Sequence, residues 1–288
     1  MRSDMQRWLF LVLVLVGALV FAVIMARSRA AREAAEPARE VRADEGSAHV
    51  AAGARVPVVV ELFTSEGCSS CPPADELLRR LEQTQPVAGA EVIALEQHVD
   101  YWNRLGWADP FSAPQFSARQ SAYADRFGSA QVYTPQMIVD GQAEFPGGNQ
   151  TRARAAVAAA AGQPKATISL TRAGQPSPDG LPLAVRVERL PNLNPDETAE
   201  VLLAVTETDL RTEVAAGENA GRTLAHAAVV RELSPLGQLD ARGGEPFAAR
   251  PVLALGARWQ VRNLRAVVFV QERTSRRILG AAALKLAE

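Results

Sequence analysis

The stretch 58–75, V-V-V-E-L-F-T-S-E-G-C-S-S-C-P-P-A-D, most narrows what this chain can become. It holds the only two cysteines of the 288 residues, Cys68 and Cys71. The apolar, β-branched run 56–63 ahead of them predicts a strand covered on both faces. Glu66-Gly67 then predicts a turn. Behind the cysteines, Ala74, Leu77, Leu78 and Leu81 recur at i, i+3, i+4 and i+7, the spacing of one helix face. Pro72-Pro73 suits a first helical turn, whose N–H groups have no intrahelical partner. A Cys-x-x-Cys between a strand end and a helix start is placed for chemistry. The positive end of the helix favours thiolate over thiol. Cys68 can attack a disulfide, and Cys71 lies near enough to resolve the mixed species.

The following residues extend an α/β pattern. Glu61 has two readings, a solvated strand-end charge or a buried acid that moves protons for the dithiol. Asp75 and Glu76 read as a solvated helix face paired with Arg79 and Arg80. Residues 91–96 (E-V-I-A-L-E) predict a second strand, followed by H-V-D-Y-W and a long aromatic loop. A loop at a strand's carboxyl end is a usual place for a site, so His98 is a candidate acid–base or ligand group. Helices are predicted over 113–127 and 150–161. Between them, Tyr133-Thr134-Pro135 opens a strand and Asp140-Gly141 signals a hairpin. Residues 55–163 therefore read as one α/β domain.

Beyond Pro164 the pattern changes. Short apolar–polar runs at 166–171, 183–188, 200–207, 224–232, 264–272 and 278–286 are separated by Gly, Pro and Asn. They predict an all-β, sandwich-like domain over 164–288. The tight loop Gly217-Glu218-Asn219-Ala220-Gly221 could bind something, but its default reading is turn chemistry.

The N-terminus is different again. Residues 8–26 form an apolar run long enough to cross the hydrocarbon layer of a membrane, so 1–27 reads as an anchor or a signal segment. Residues 28–54 read as a solvated polar linker. A formal net charge of −1 argues against a nucleic-acid partner. With two cysteines, and His49, His98 and His226 the only other soft ligands, a four-cysteine zinc site is excluded and no cofactor is expected.

The strand, Cys68-Ser69-Ser70-Cys71, the helix and the Thr134-Pro135 hairpin together resemble a thioredoxin fold. More narrowly, E-L-F-T-S-E-G-C-S-S-C-P-P-A-D with H-V-D-Y-W and Y-T-P-Q-M-I-V-D-G resembles a family of exported thioredoxin-like bacterial proteins of unknown function. The resemblance implies Cys68 as attacking thiol, Cys71 as resolving thiol, and a cis Thr134–Pro135 bond that positions the partner chain. It implies a periplasmic thiol–disulfide oxidoreductase, tethered to the inner membrane or secreted, acting on protein or small-molecule thiols and disulfides. Two alternatives stand beside it. One is a binding module whose cysteines form an inert structural disulfide, and the other a soft-metal (copper) protein using Cys68, Cys71 and His98.

Overall fold

Strand β1 (Val56–Thr64) runs through the interior of a large sheet, as its unbroken apolar sequence requires. A computed structural model describes residues 55–287 except 192, 194–196 and 241–245. The expected anchor and linker thus lie outside the described residues. Among those described, no helix is long and apolar enough to cross a membrane.

After β1 come helix α1 (Pro72–Thr84), strand β2 (Ala90–His98), a 3-10 turn (Asn103–Leu105) and helix α2 (Pro114–Phe127). The hairpin of β3 (Gln136–Val139) and β4 (Ala143–Pro146) leads into helix α3 (Gln150–Ala161). Asn149 caps α3 by accepting from the amide of Arg152. The side chains of β1 then divide by parity. Val58, Val60 and Leu62 pack with α1 and α3, whereas Val59 and Phe63 face the side of α2, where Phe116 and Tyr123 lie.

The C-terminal half contributes β5 (Thr167–Arg172), β6 (Leu181–Arg189), β7 (Thr198–Glu207), β8 (Leu210–Glu213) and β9 (Thr223–His226). These are followed by β10 (Val229–Asp240), β11 (Phe247–Ala249), β12 (Val252–Leu253), β13 (Leu264–Glu272) and β14 (Ile278–Lys285). The expected architecture, a thioredoxin-like α/β domain followed by an all-β sandwich domain, is overturned here. A mixed eight-stranded sheet in the order β14-β13-β7-β10-β2-β1-β3-β4 contains strands from both halves. The described residues carry only three α-helices against fourteen strands. The joint is the parallel pairing of β10 with β2, where Val229 stands opposite Glu96 and the Glu96 amide donates to Ala228 O at 2.9 Å. An unpaired strand edge on β2 would leave backbone groups open, and β10 fills it. A second sheet of β5, β6, β11 and β12 covers one face of β7 and β13 through Leu183, Val185, Val201, Leu203 and Val268.

A buried ion pair also ties the halves together. Arg119 of α2 donates from Nε and Nη2 to Glu61 of β1 at 2.6 and 3.0 Å, and from Nη1 to Gln271 Oε1 of β13 at 2.9 Å. Tyr123 Oη and Gln97 Nε2 also donate to the Glu61 carboxylate. Burial would raise the Glu61 pKa, but the Arg119 guanidinium overcomes that and holds it below the usual value. Such a carboxylate stabilises the fold fully above its unfolded pKa, and the contribution is lost as pH falls through the lower folded value. Arg119→Met strands the carboxylate and should cost about 3–5 kcal/mol in urea denaturation at neutral pH. Glu61→Gln should be destabilised already at neutral pH and should flatten the loss of stability on acidification. An unchanged acid slope would mean that Glu61 is uncharged in the folded chain.

Candidate functional site

Cys68 and Cys71 are joined in a disulfide with their Cα atoms 5.4 Å apart, and Cys71 is the N-cap of α1. Both residues are wholly buried, while Ser69 and Ser70 between them are exposed. Pro72 and Pro73 delete two of the amides that would otherwise point out of the helix start. The next two, of Ala74 and Asp75, donate to Cys71 O at 2.8 and 3.1 Å. The dipole therefore acts on the sulfurs without direct amide donors from these positions. Ser70 supplies the donor instead, with its Oγ 3.3 Å from Cys68 Sγ, a disulfide sulfur that can only accept.

A loop from the C-terminal half holds this segment. It follows the β8 strand of the β8–β9 hairpin and spans 217–221. Buried Asn219 donates from Nδ2 to Glu66 O at 2.8 Å and to Cys68 O at 3.0 Å. Glu218 Oε2 accepts from the amide and the hydroxyl of Ser69 at 2.9 and 2.7 Å. Gly217 has φ of +77°, and a Cβ there would stand 3.1 Å from Trp107 Cβ, so both conformation and space favour glycine. Trp107 Nε1 donates to Glu66 Oε2 at 2.8 Å.

Thr134 and Pro135 approach from the other side. Their peptide bond is cis, and Trp102, which packs on Gly67, donates from Nε1 to Thr134 Oγ1 at 2.8 Å. Gly147 lies so close to Ala74 and Pro135 that a Cβ would meet theirs at 3.0 and 3.1 Å. Cys68, Cys71, Thr134 and Pro135 thus converge around the start of α1.

Beneath the cysteine turn lies a buried chain of acids and imidazoles. His98 Nδ1 pairs with Asp109 Oδ2 at 2.7 Å, and that same oxygen accepts the Glu66 amide at 2.8 Å. His226 pairs through Nδ1 with Glu96 Oε1 at 2.7 Å and through Nε2 with Glu66 Oε1 at 3.1 Å. His98 Nε2 stands 3.3 Å from Glu96 Oε1, within ion-pair reach, but makes no hydrogen bond. Burial would lower both histidines. Asp109 overcomes it and holds His98 well above the usual value, while Glu96 and Glu66 hold His226 up at about 9. Glu96, opposed by its burial, is pulled down to about 2 by His226 and His98. Asp75 goes the other way. Burial and the Glu96 charge push it up to about 7, and Thr64 Oγ1 donates to it at 2.6 Å.

His98 therefore belongs to this acid–imidazole chain, two residues' reach from Cys68 through Glu66. Glu61 sits on the α2 side of β1, engaged with Arg119, and the opposite side carries α1. Among the described residues, the histidine, cysteine and acid side chains that come within metal-binding reach as a trio are Glu96, His98 and His226, with no cysteine among them. Sequence reading gives Asp109 no role, Glu96 only a strand position, Glu66, Glu218 and Asn219 only turn positions and His226 only a place among the soft ligands, and it puts Asp75 on a solvated face, whereas it is buried. The one local signal was the polar quartet Glu96-Gln97-His98 and Asp100 at the end of an apolar strand. The run 224–232 was expected as one strand, but it breaks at Ala228, whose φ is 56°, and the break brings His226 to Glu96.

The profile of a family described as "Protein of unknown function (DUF1223)" matches residues 59–271. The chain belongs to this family. The match begins in β1 and ends in β13, so it includes the cysteine turn, the 217–221 loop and every member of the buried acid–imidazole chain. A crystal structure of a protein from Agrobacterium tumefaciens is 28% identical with a TM-score of 0.64, covering 81% of this chain and 96% of that one. HBP35 of Porphyromonas gingivalis is 16% identical with a TM-score of 0.57, covering 81% of this chain and 76% of that one, a likeness of fold alone. No curated protein matches.

Asn219→Ala removes both of its bonds to the cysteine turn, taking from Glu66 O its side-chain donor and leaving Cys68 O with the Cys71 amide alone. It should cost about 1–3 kcal/mol in urea denaturation and speed reduction of the Cys68–Cys71 disulfide by dithiothreitol. Reduction at the unaltered rate would mean that the 217–221 loop does not restrain the cysteines.

Proposed function

We infer that this DUF1223 protein is a thiol–disulfide exchange protein of the cell envelope that works through Cys68 and Cys71. The observation that carries the reading is the Ser70 hydroxyl set 3.3 Å from Cys68 Sγ, on a turn whose serines are exposed. A hydroxyl donor on that sulfur stabilises the thiolate that exchange requires. In the oxidised form a partner thiolate attacks Cys68 Sγ, the bond to Cys71 breaks, and Cys71 leaves as a thiolate at the positive end of α1. A second thiolate of the partner then attacks the partner sulfur of the mixed disulfide. The partner departs with a disulfide, Cys68 is released, and two electrons have moved to the chain. Asp75, at the first turn of α1, has its amide on Cys71 O and its carboxyl on Thr64 Oγ1, where burial and the Glu96 charge push it up to about 7. The apolar run 8–26 supports placement at a membrane, with the exchange centre on the far side of the 28–54 linker.

A second reading, an inert disulfide in a binding module, is favoured by the complete burial of both cysteines. The two readings separate on the folded chain. Exchange predicts that glutathione sets a reversible ratio of dithiol to disulfide under native conditions. It also predicts that Cys71→Ser accumulates mixed disulfides through Cys68. Ser70→Ala should raise the pH midpoint of Cys68 alkylation by about one, the worth of a hydrogen bond to a charged group. A disulfide reduced only at the rate of global unfolding, with Cys71→Ser trapping no partner, would leave the inert reading standing.

A further inference from the structure

The acid–imidazole chain beneath the cysteine turn has a property that neither exchange nor an inert disulfide uses. We propose that Glu96 Oε1, His98 Nε2 and His226 Nδ1 form a binding site for one divalent first-row transition-metal ion of the zinc type.

The ligand atoms lie within 4.8 Å of one another, and all three residues are buried. Glu96 Oε1 is 2.7 Å from His226 Nδ1 and 3.3 Å from His98 Nε2. Tetrahedral ligands with bonds of ~2.0–2.1 Å stand about 3.3 Å apart, so the Glu96–His98 edge already fits, the Glu96–His226 edge has to open by about 0.6 Å, and the His98–His226 edge lies within 4.8 Å. The His98 ring nitrogen that faces Glu96 is, with Gln97 Oε1 and Arg276 Nε, one of three buried side-chain atoms among the described residues without a hydrogen-bond partner. A buried polar atom left unpaired is uncommon and costly, and an ion is one of the things that explains it.

The outer contacts point the same way. A metal-binding histidine usually donates its other ring N–H to a carboxylate, which fixes the tautomer. His98 Nδ1 lies on Asp109 and His226 Nε2 on Glu66, so each imidazole keeps an acceptor for one proton and turns its other nitrogen toward Glu96. Phe111 closes over both rings, with its centroid 5.4 Å from His98 and 5.6 Å from His226. Without an ion, His226 must donate from both nitrogens at once while His98 Nε2 goes unpaired. With one, each imidazole is a neutral ligand held by its own acid. Two imidazoles and a carboxylate suit zinc, cobalt or nickel better than calcium or magnesium. The site would join β2 to β9, and Glu66 would link it to the turn that carries Cys68.

The test uses the chelator-treated full chain with its disulfide intact, and Co(II) as probe. A single equivalent should bind with visible d–d absorption, be displaced by Zn(II), and raise the thermal midpoint. Asp109→Asn, which touches no proposed ligand atom but alters the outer bond of His98 and an acceptor of the Glu66 and Phe111 amides, should weaken binding about 10–100-fold. Glu96→Gln should abolish stoichiometric uptake, whereas Cys68→Ser with Cys71→Ser should leave it intact. The proposal is overturned if the wild-type chain takes up well below one equivalent, if Asp109→Asn and Glu96→Gln bind like wild type, or if the double cysteine variant loses the metal. None of these results depends on whether Cys68 exchanges, so the site and the exchange reading fail independently.

Discussion

Glu96 is the group on which the rest of the structure depends. Its backbone amide makes the first bond between β2 and the β10 entry, while its carboxylate takes the Ala227 amide at 3.0 Å and the His226 ring at 2.7 Å. A buried carboxylate is tolerated only when its charge is met, and here the partners are the imidazoles and an amide from the other half of the chain. One residue therefore sets both the joining of the sheet and the position of His226. The left-handed turn at Ala228, unfavourable for a residue with a Cβ, is held by these same contacts.

From that joint the site follows. The β8–β9 hairpin, brought in with His226, delivers the 217–221 loop onto the cysteine turn. Asn219 and Glu218 then restrain the turn from Glu66 to Ser69, while Ser70 is left to meet the Cys68 sulfur. The two serines thus have separate tasks, one in docking the loop and one in the chemistry of the sulfur. The double proline fits this division, since it removes amides that would otherwise compete for the role of Ser70.

The sequence made the elements legible and hid their assembly. Strand β1, helix α1 and the hairpin of β3 and β4 leave strong local traces in hydrophobic period, proline position and the Asp140-Gly141 turn. Residues 264–272 form β13 over the range that their alternation predicted. Which strand lies beside β2 is a pairing between residues more than a hundred positions apart, and periodicity carries no information about it. A thioredoxin-like domain and a separate sandwich were the simplest grouping of correct pieces. The site divided in the same way. Cys68, Cys71, Thr134 and Pro135 announced themselves by motif, whereas Glu66, Asp109, His226 and Asn219 are single polar residues in ordinary surroundings. His226 gains a role only once Ala228 turns the chain toward Glu96.

The central claim is that the two halves form one structural unit through β2 and β10, on which the cysteine site rests. Native-state hydrogen exchange of the whole chain across a urea series tests it most directly. The amides of β1 and β2 should merge with those of β7 and β13 into one opening reaction, with a common free energy and a common urea dependence. Separate isotherms, with β1 and β2 still protected where β7 and β13 have opened, would mean that the halves fold as independent domains and would contradict this account.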